Sequence, residues 1–285
     1  MFETFSRSWE LVKSSFYVLR KDKELMLFPL VSGILSIIMF ISLIIPSFYF
    51  IFITKTLSLN SYVFYGLLFI YYLLSSFIIL FFNSGLVACA RIRLRGGDPK
   101  FSDGIKAAMK HVGKIFQWAL VSATVGIVLR MISDRSTLIG RIIASIIGAA
   151  WSLVTFFVVP VLIFENLGIK DSIKQSWELF KRTWGENFIG GFSMSIIIFL
   201  FALVGFLPMA IGMYTFSLTS LIAGIAISMI YWVALIIIIT SLDGIFLTAL
   251  YEYASTGKVP EVYDEDTVKN AFKPKKGKSS QNMLP

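Results

Sequence analysis

The sequence predicts an all-α integral membrane protein, and three observations lead to this class. Of the 285 residues, 56% are hydrophobic and only 15% are charged, whereas a soluble domain carries about a quarter charged residues. The apolar residues form long runs, such as 194–204 and 217–242, which suit the roughly 20 apolar residues that cross a hydrocarbon core. Most Lys and Arg residues lie in short segments beside these runs, where they contact lipid headgroups.

We predict six transmembrane helices. They cover residues 26–50, 62–88, 115–132, 139–164, 188–213 and 218–250. Pro46 lies late in the first span and is expected to bend or end it, because proline removes a backbone donor. The connection 214–217 is very short, so the last two spans are expected to form an antiparallel hairpin.

The distribution of basic residues predicts the orientation. The four segments expected on one side of the membrane hold 22 of the 26 Lys and Arg residues, and the other side holds four. By the positive-inside rule the richer side is cytoplasmic, and an even number of spans then places both termini in the cytoplasm. The composition and the absence of a targeting peptide fit a multi-pass protein of a prokaryotic plasma membrane.

Three cytoplasmic segments, 2–19, 101–115 and 169–184, carry apolar residues at three- and four-residue steps between basic ones. This pattern predicts amphipathic helices at the cytoplasmic interface. Either they lie on the membrane surface or they pack against the inner face of the bundle, and the two arrangements are compatible. The aromatic residues expected to anchor them in the membrane surface are Trp9, Phe16, Trp177, Phe180 and Trp184.

An internal repeat follows from the order of these elements, which reads surface helix, span, span, three times over. Residues 8–13 (SWELVK) match residues 176–181 (SWELFK) at five of six positions. The sequence thus predicts a six-span membrane domain over residues 1–257 with a threefold internal repeat. A polar cytoplasmic tail, mostly disordered, is predicted for residues 258–285.

Small residues recur every fourth position in the fourth and sixth predicted spans, where they allow close approach of helix backbones. They are Gly140, Ala144, Gly148 and Ser152 in the fourth span, and Ser220, Gly224 and Ser228 in the sixth. Packing within one chain explains them, and the same stripes would also suit the seam of a homo-oligomer.

Polar residues within apolar runs are the main functional candidates, because such groups are costly in a membrane. The candidates for a polar pathway or interface are Asn83, Asp243, Glu165 and Arg130. The first three are expected near the cytoplasmic ends of their helices, where they either surround a vestibule or cap helix ends. Arg130 lies close to Asp134 and is expected at the outer interface.

The sequence predicts no catalytic residues, no metal site and no cofactor. It contains a single cysteine, Cys89, and a single histidine, His111, and it has no protease, hydrolase or P-loop motif. The glycine-rich segment 95–99 follows a predicted membrane helix and is interpreted as a turn. The net charge of +9 is explained by the membrane surface, so nucleic acid is not expected as a partner.

Several stretches resemble a known family. They are residues 81–91 (FFNSGLVACAR), 95–99 (RGGDP), 118–126 (WALVSATVG), 155–162 (TFFVVPVL), 183–186 (TWGE) and 249–254 (ALYEYA). The chain is similar in these stretches to an uncharacterised family of bacterial and archaeal polytopic membrane proteins, domain of unknown function 6159. The resemblance implies a polytopic membrane fold and brings no assigned activity or site residues.

The sequence supports two hypotheses about function. The first is a non-enzymatic protein whose basic surface helices organise lipids, especially those with anionic headgroups, or a protein partner at the cytoplasmic face. The alternative is a transporter or channel with a polar pathway near Asn83, Glu165 and Asp243, in which prolines break the helices.

Overall fold

The computed structural model describes residues 2–48, 61–135, 138–184, 199, 201–215 and 217–263, and within these ranges its regular structure is helical, with no strand. The chain forms two compact units. The central unit comprises Asp22–Phe180, and the terminal unit combines Met1–Lys21 with Lys181–Pro285. Both ends of the sequence therefore contribute to one unit.

The central unit contains a short 3-10 helix, Lys23–Met26, and seven α-helices, of which the last enters the terminal unit in its final turn. They are α2 Leu27–Phe48, α3 Ser61–Leu94, α4 Phe101–Lys110, α5 Val112–Arg135, α6 Leu138–Val154, α7 Val158–Phe164 and α8 Ile169–Trp184. Within the described residues, the terminal unit also contains α1 Phe2–Lys21, a helical segment over residues 201–204, α9 Leu207–Tyr214 and α10 Leu218–Thr256.

Five stretches of helix are long and apolar enough to cross a membrane. They are Lys23–Leu43, Gly66–Leu94, Val112–Ser133, Ile139–Phe164 and Leu218–Thr256. The predicted span 188–213 is represented by a shorter apolar helix, Phe201–Tyr214, and residues 185–198 lie outside the described part of the chain. Five of the six predicted spans thus have a counterpart of sufficient length, and the sixth stays a prediction.

Three helices extend beyond the ends predicted for them, and one of these, α5, covers Val112–Arg135 where residues 115–132 were predicted. α3 continues past Ala88 to Leu94, and α10 continues past Leu250 to Thr256. The latter ends at Gly257, whose φ of 74° is the left-handed conformation that glycine adopts at helix ends without strain.

The fourth predicted span is divided into α6 and α7 by a break at residues 155–157. Pro160 accounts for the position of the break, because proline lacks an N–H and its ring clashes with the carbonyl group four residues earlier. Ser176 of α8 satisfies the backbone there: its Oγ donates to the Val154 carbonyl oxygen at 2.8 Å and accepts from the Phe157 N–H at 2.9 Å. A surface helix therefore stabilises a discontinuous apolar helix.

Two arginines near the C-terminal end of α3 have partners within the central unit. Arg93 pairs with Asp22 at 3.4 Å and with Asp98 at 2.6 Å, and the Arg91 guanidinium lies 4.0 Å from the centre of the Phe164 ring. Burial raises the pKa of the Asp22 carboxyl, while the charge of Arg93 opposes that rise. These contacts explain how the helix continues through two arginines.

In the terminal unit, α9 packs along α10 as a hairpin. The contact is at backbone distance, because a Cβ atom added to Gly224 would collide with the Pro208 carbonyl oxygen, and one added to Gly212 would lie 2.5 Å from the Ser220 carbonyl oxygen. Such close packing is typical of small residues at membrane helix interfaces.

The beginning of the predicted tail is ordered. Tyr263 is buried, and its hydroxyl lies 2.7 Å from Ser15 Oγ of α1. The ordered chain therefore extends at least six residues past the predicted boundary at residue 257, and the disorder predicted for residues 264–285 lies outside the described residues.

Candidate functional site

A cavity of about 550 Å³ lies between α1 and α10 within the terminal unit. Its volume falls in the range of about 300–1,000 Å³ that is typical of small-molecule sites. Phe201, which precedes α9, also contributes to its wall. The lining is almost entirely carbon, so the cavity suits an apolar group.

One wall of the cavity is an apolar stripe of α10. It consists of Ala234, Leu235, Ile238, Ile239 and Leu242. These positions recur at three- and four-residue steps, and the period of 3.6 residues per turn brings them to one side of the helix. The stripe belongs to the apolar run predicted as the sixth span.

The opposite wall is formed by one face of α1, with Trp9, Val12, Lys13 and Phe16. Trp9 and Phe16 are 45% and 48% exposed, although both are large aromatic residues. A different face of the same helix is buried and contains Leu11, Ser15, Val18 and Leu19. α1 therefore has one apolar face packed into the protein and a second apolar face open towards the cavity.

Two charged residues of opposite sign belong to the cavity wall, Lys13 on α1 and Asp243 on α10. Both are exposed residues, and polar atoms contribute almost nothing to the lining, so their charged ends lie at its edge. Within the described residues, neither side chain makes a hydrogen bond or an ion pair, with each other or with a third group.

Another polar group in the wall, the Tyr231 hydroxyl, is already satisfied. Tyr231 donates its hydroxyl hydrogen to the Phe201 carbonyl oxygen at 2.8 Å, and the adjacent Trp232 donates its indole N–H to the Ala202 carbonyl oxygen at 3.2 Å. These bonds hold the turn at residues 205–206, where the helix preceding α9 is interrupted. The indole N–H of Trp9, the ammonium of Lys13 and the carboxylate of Asp243 thus remain to recognise a polar group, and only the last two are charged.

Two further hydrogen bonds fix the helices of the terminal unit. Ser15 and Tyr263 connect α1 to the segment that follows α10, and Arg182 donates to the Ala254 carbonyl oxygen at 2.8 Å. Burial raises the pKa of the Tyr263 phenol, which therefore stays neutral and able to donate. One of these bonds thus holds α1, and the other holds the C-terminal part of α10.

Of the four polar candidates identified from the sequence, the structure places Asp243 at the cavity. Asn83 and Glu165 are half-buried residues of the central unit, the latter directly after α7. Arg130 is exposed and donates to the Tyr72 hydroxyl at 2.9 Å, while the side chain of its expected neighbour Asp134 lies outside the described residues.

The small residues lie at helix contacts to different extents. A Cβ atom added to Gly148 would lie 3.7 Å from the Leu129 side chain of α5, and Gly224 touches the backbone at Pro208. Of the other small residues, Ala144 and Ser228 are buried, Gly140 and Ser220 are half-buried, and Ser152 is exposed. The contacts of Gly148 and Gly224 lie within a single chain.

The aromatic residues predicted as membrane anchors have different environments. Trp9, Phe16 and Trp177 are exposed, but Phe180 is only 2% exposed. Its ring stacks on Trp177 at 6.3 Å and contacts Phe156 edge-on at 5.9 Å. Phe180 is therefore a packing residue of the central unit and is not available to a membrane surface, and the side chain of Trp184 lies outside the described residues.

Within the described ranges, no group of three or more His, Cys, Asp or Glu residues is placed to hold a metal ion. Cys89 is a free, buried thiol that lies 3.4 Å from the Lys100 carbonyl oxygen. The chemistry available at the cavity is therefore apolar contact combined with one positive and one negative charge.

Sequence reasoning did not find the cavity. It identified Trp9 and Phe16 as membrane anchors and Asp243 as a polar residue in an apolar run. It did not predict that these residues line the same cavity. The apolar stripe of α10 has a helical period, but a membrane helix is apolar on all sides, so its period does not show which face is left uncovered.

Several apolar helices of membrane-spanning length, in an otherwise helical fold, indicate a membrane protein. A family model, "Family of unknown function (DUF6159)", matches residues 62–261, and the chain belongs to this family. The matched region includes α10, whereas α1 precedes it. No curated protein and no solved structure matches the chain.

Proposed function

We propose that the protein is a non-enzymatic, six-span membrane protein that binds lipid at the cytoplasmic membrane face, with both termini in the cytoplasm. The observation that carries this proposal is the carbon-lined cavity between α1 and α10. One of its walls belongs to a helix of membrane-spanning length, so the molecules with direct access to it are those of the bilayer.

The composition of the α1 wall supports a lipid as the occupant. Trp9 and Phe16 combine exposure with large apolar rings, and aromatic residues of this kind favour the boundary between hydrocarbon and headgroups. Lys13 on the same face is suited to a phosphate group. An acyl chain would lie along the stripe of α10, with its headgroup at the charged edge of the cavity.

The other basic surface helices fit the same role. Trp177 of α8 is 39% exposed and is flanked on this helix by lysines, which attract anionic headgroups. We propose that these helices contact anionic lipid outside the cavity. The small-residue stripes that remain partly exposed are also compatible with a homo-oligomer in the membrane.

The threefold repeat is part of the proposal, and one packing relationship supports it. α4 packs on α3 and α1 packs on α10, while Ser176 of α8 bonds to the backbone where α6 ends. In each case a surface helix contacts the second span of the preceding repeat. For α1, which begins the first repeat, this is the second span of the third repeat. Gene triplication would produce this regularity.

Transport is the second candidate, because the breaks at residues 155–157 and 205–206 resemble the discontinuous helices of transporters. In transporters such breaks offer free backbone groups to a substrate. Here Ser176 bonds at the first break, and Tyr231 and Trp232 bond at the second. These bonds favour a structural role for both breaks, and therefore favour lipid binding.

The test is photocrosslinking of the full chain in lipid nanodiscs with a phospholipid that carries a diazirine in its acyl chain. We expect labelled peptides from α1 and from residues 231–243. Ala234→Trp fills the cavity from the α10 wall and should reduce this labelling at least severalfold. The matched control is Ala226→Trp, an exposed alanine of the same helix that does not line the cavity.

Equal labelling of residues 231–243 in both variants and in the unchanged chain would show that the cavity is not occupied by lipid. A flux assay on the same variants, reconstituted into proteoliposomes, tests the transport hypothesis separately. Solute flux that Ala234→Trp leaves intact and Asn83→Leu abolishes would support transport.

A further inference from the structure

The cavity carries two opposite charges that do not neutralise each other. Lys13 and Asp243 both belong to its wall, and within the described residues no ion pair joins them. We propose that this pair recognises a phospholipid whose headgroup has a primary ammonium beside its phosphate, of the phosphoethanolamine type. This inference rests on the lipid binding proposed above and adds the headgroup class.

Lys13 matches the phosphate of such a headgroup. Its ammonium is a point charge with three donors on a flexible stem, and it is exposed on the same face as Trp9 and Phe16. A phosphodiester accepts hydrogen bonds from a lysine in this position without a fixed geometry. This contact is common to all phospholipids, so it contributes affinity and no discrimination among them.

Asp243 provides the selectivity among phospholipid headgroups. Its carboxylate follows directly after the apolar stripe of α10 and has no donor within the described residues, and a carboxylate at the edge of an apolar site is costly unless it is paired. A primary ammonium supplies both a positive charge and N–H donors. A trimethylated ammonium supplies the charge without donors, and a glycerol headgroup supplies no positive charge.

The two charges together exclude simpler occupants. A lipid with only a phosphate would pair with Lys13 but bring negative charge towards Asp243. A cationic amphiphile would pair with Asp243 but bring positive charge towards Lys13. A zwitterionic headgroup pairs with both. Since a partly exposed ion pair is worth up to about 1 kcal/mol, the preference for the primary ammonium over a headgroup without a positive charge should be at most about fivefold.

The test is native mass spectrometry of the full chain, purified in mild detergent and mixed with equal amounts of three lipids that share the same acyl chains. The lipids are a phosphatidylethanolamine, a phosphatidylcholine and a phosphatidylglycerol. We expect up to about fivefold more of the ethanolamine lipid bound than of the phosphatidylglycerol. The excess over the phosphatidylcholine should be smaller, because its ammonium keeps the charge and lacks only the N–H donors. Asp243→Asn should remove this preference while total lipid binding persists.

Two further variants complete the experiment. Lys13→Gln should reduce the binding of all three lipids by a similar factor. Asp171→Asn, at an exposed carboxylate of α8 that does not line the cavity, should change neither the preference nor the total, and it controls for the loss of one negative charge.

The failures of the two proposals are distinguishable. If lipid is retained and Ala234→Trp displaces it, but the three lipids bind equally or the glycerol lipid binds best, the headgroup inference is overturned and lipid binding stands. If Asp243→Asn leaves the ethanolamine preference intact, the inference is likewise overturned. If no lipid depends on the cavity, the proposed function itself fails.

Discussion

Ser176 Oγ donates a hydrogen bond to the Val154 carbonyl oxygen at 2.8 Å, and through it α8 closes the break between α6 and α7. The same oxygen accepts from the Phe157 N–H, and the serine is fully buried. Ser176→Ala therefore leaves both a buried backbone carbonyl and a buried N–H without this partner. We expect a loss of about 1–3 kcal/mol in the free energy of unfolding.

The measurement is a thermal melt followed by a thiol-reactive dye, because the single cysteine, Cys89, is buried and becomes reactive only on unfolding. Ser152→Ala is the control, since that serine is exposed and bonds only to Gly148 of its own helix. Equal melting temperatures for the two variants would contradict the role assigned to Ser176.

Gly104 is predicted to tolerate no side chain. A Cβ atom there would lie 2.6 Å from the Gly85 carbonyl oxygen and would also collide with the Phe28 ring. Because backbone yields less readily than a side-chain end, Gly104→Ala should separate α4 from α3 and destabilise the chain by about 1–3 kcal/mol.

The matched control is Gly126→Ala in α5, where an added Cβ meets no atom within 4 Å. In a helix interior alanine is favoured over glycine by roughly 0.5–1 kcal/mol, so this variant should melt at the same temperature or slightly higher. If both variants melted alike, the contact at Gly104 would be looser than described.

His111 is predicted to make the protein less stable in mild acid. Burial lowers the pKa of its imidazole, and the nearby Lys114 and Lys110 lower it further. The unfolded chain, with an ordinary histidine pKa of about 6.5, then binds the proton more readily. Stability is therefore full above that pH and is lost as the pH falls through it towards the lower pKa of the folded state.

The size of this loss is at most about 1.4 kcal/mol per pH unit, because a single proton is involved. As His111 is the only histidine, His111→Gln should flatten the dependence of the melting temperature on pH between about 7.5 and 5.5. An unchanged slope in the variant would assign the acid sensitivity to other groups.

Tyr263→Phe is predicted to weaken the terminal unit. The change removes one hydroxyl and leaves the buried Ser15 Oγ without the hydrogen bond that the tyrosine provides. We expect a loss of about 1–2 kcal/mol, measured by the same melt. Tyr17→Phe on the exposed side of α1 serves as control, and a smaller effect at Tyr263 than at Tyr17 would contradict the prediction.

Much of the fold was predictable because apolar runs of sufficient length mark membrane helices on their own. The ends were not predictable where charges are neutralised by tertiary contacts. α3 continues through Arg91 and Arg93 because both side chains have partners. Arg91 lies over the Phe164 ring, and Arg93 pairs with Asp22 and Asp98. The break before α7 had a signal in Pro160, but the serine that stabilises it comes from another helix.

The candidate site was predictable only residue by residue. Helical periodicity identified Trp9 and Phe16, and polarity within an apolar run identified Asp243. Their meeting at one cavity depends on packing between α1 and α10, helices at opposite ends of the sequence. Phe180 is the opposite case. It lies on an amphipathic stripe and was predicted at the membrane surface, but it packs against Phe156 and is buried.

The bond between Ser15 and Tyr263 joins residues that are 248 positions apart. Ribosomes add about 5–20 residues per second, so Ser15 is synthesised roughly 12 to 50 seconds before Tyr263. During that interval the face of α1 that carries Ser15, which is buried in the folded protein, is accessible to chaperones and proteases. A nascent chain interrupted before Tyr263 never closes this contact, so the Ser15 hydroxyl of its α1 stays without this partner.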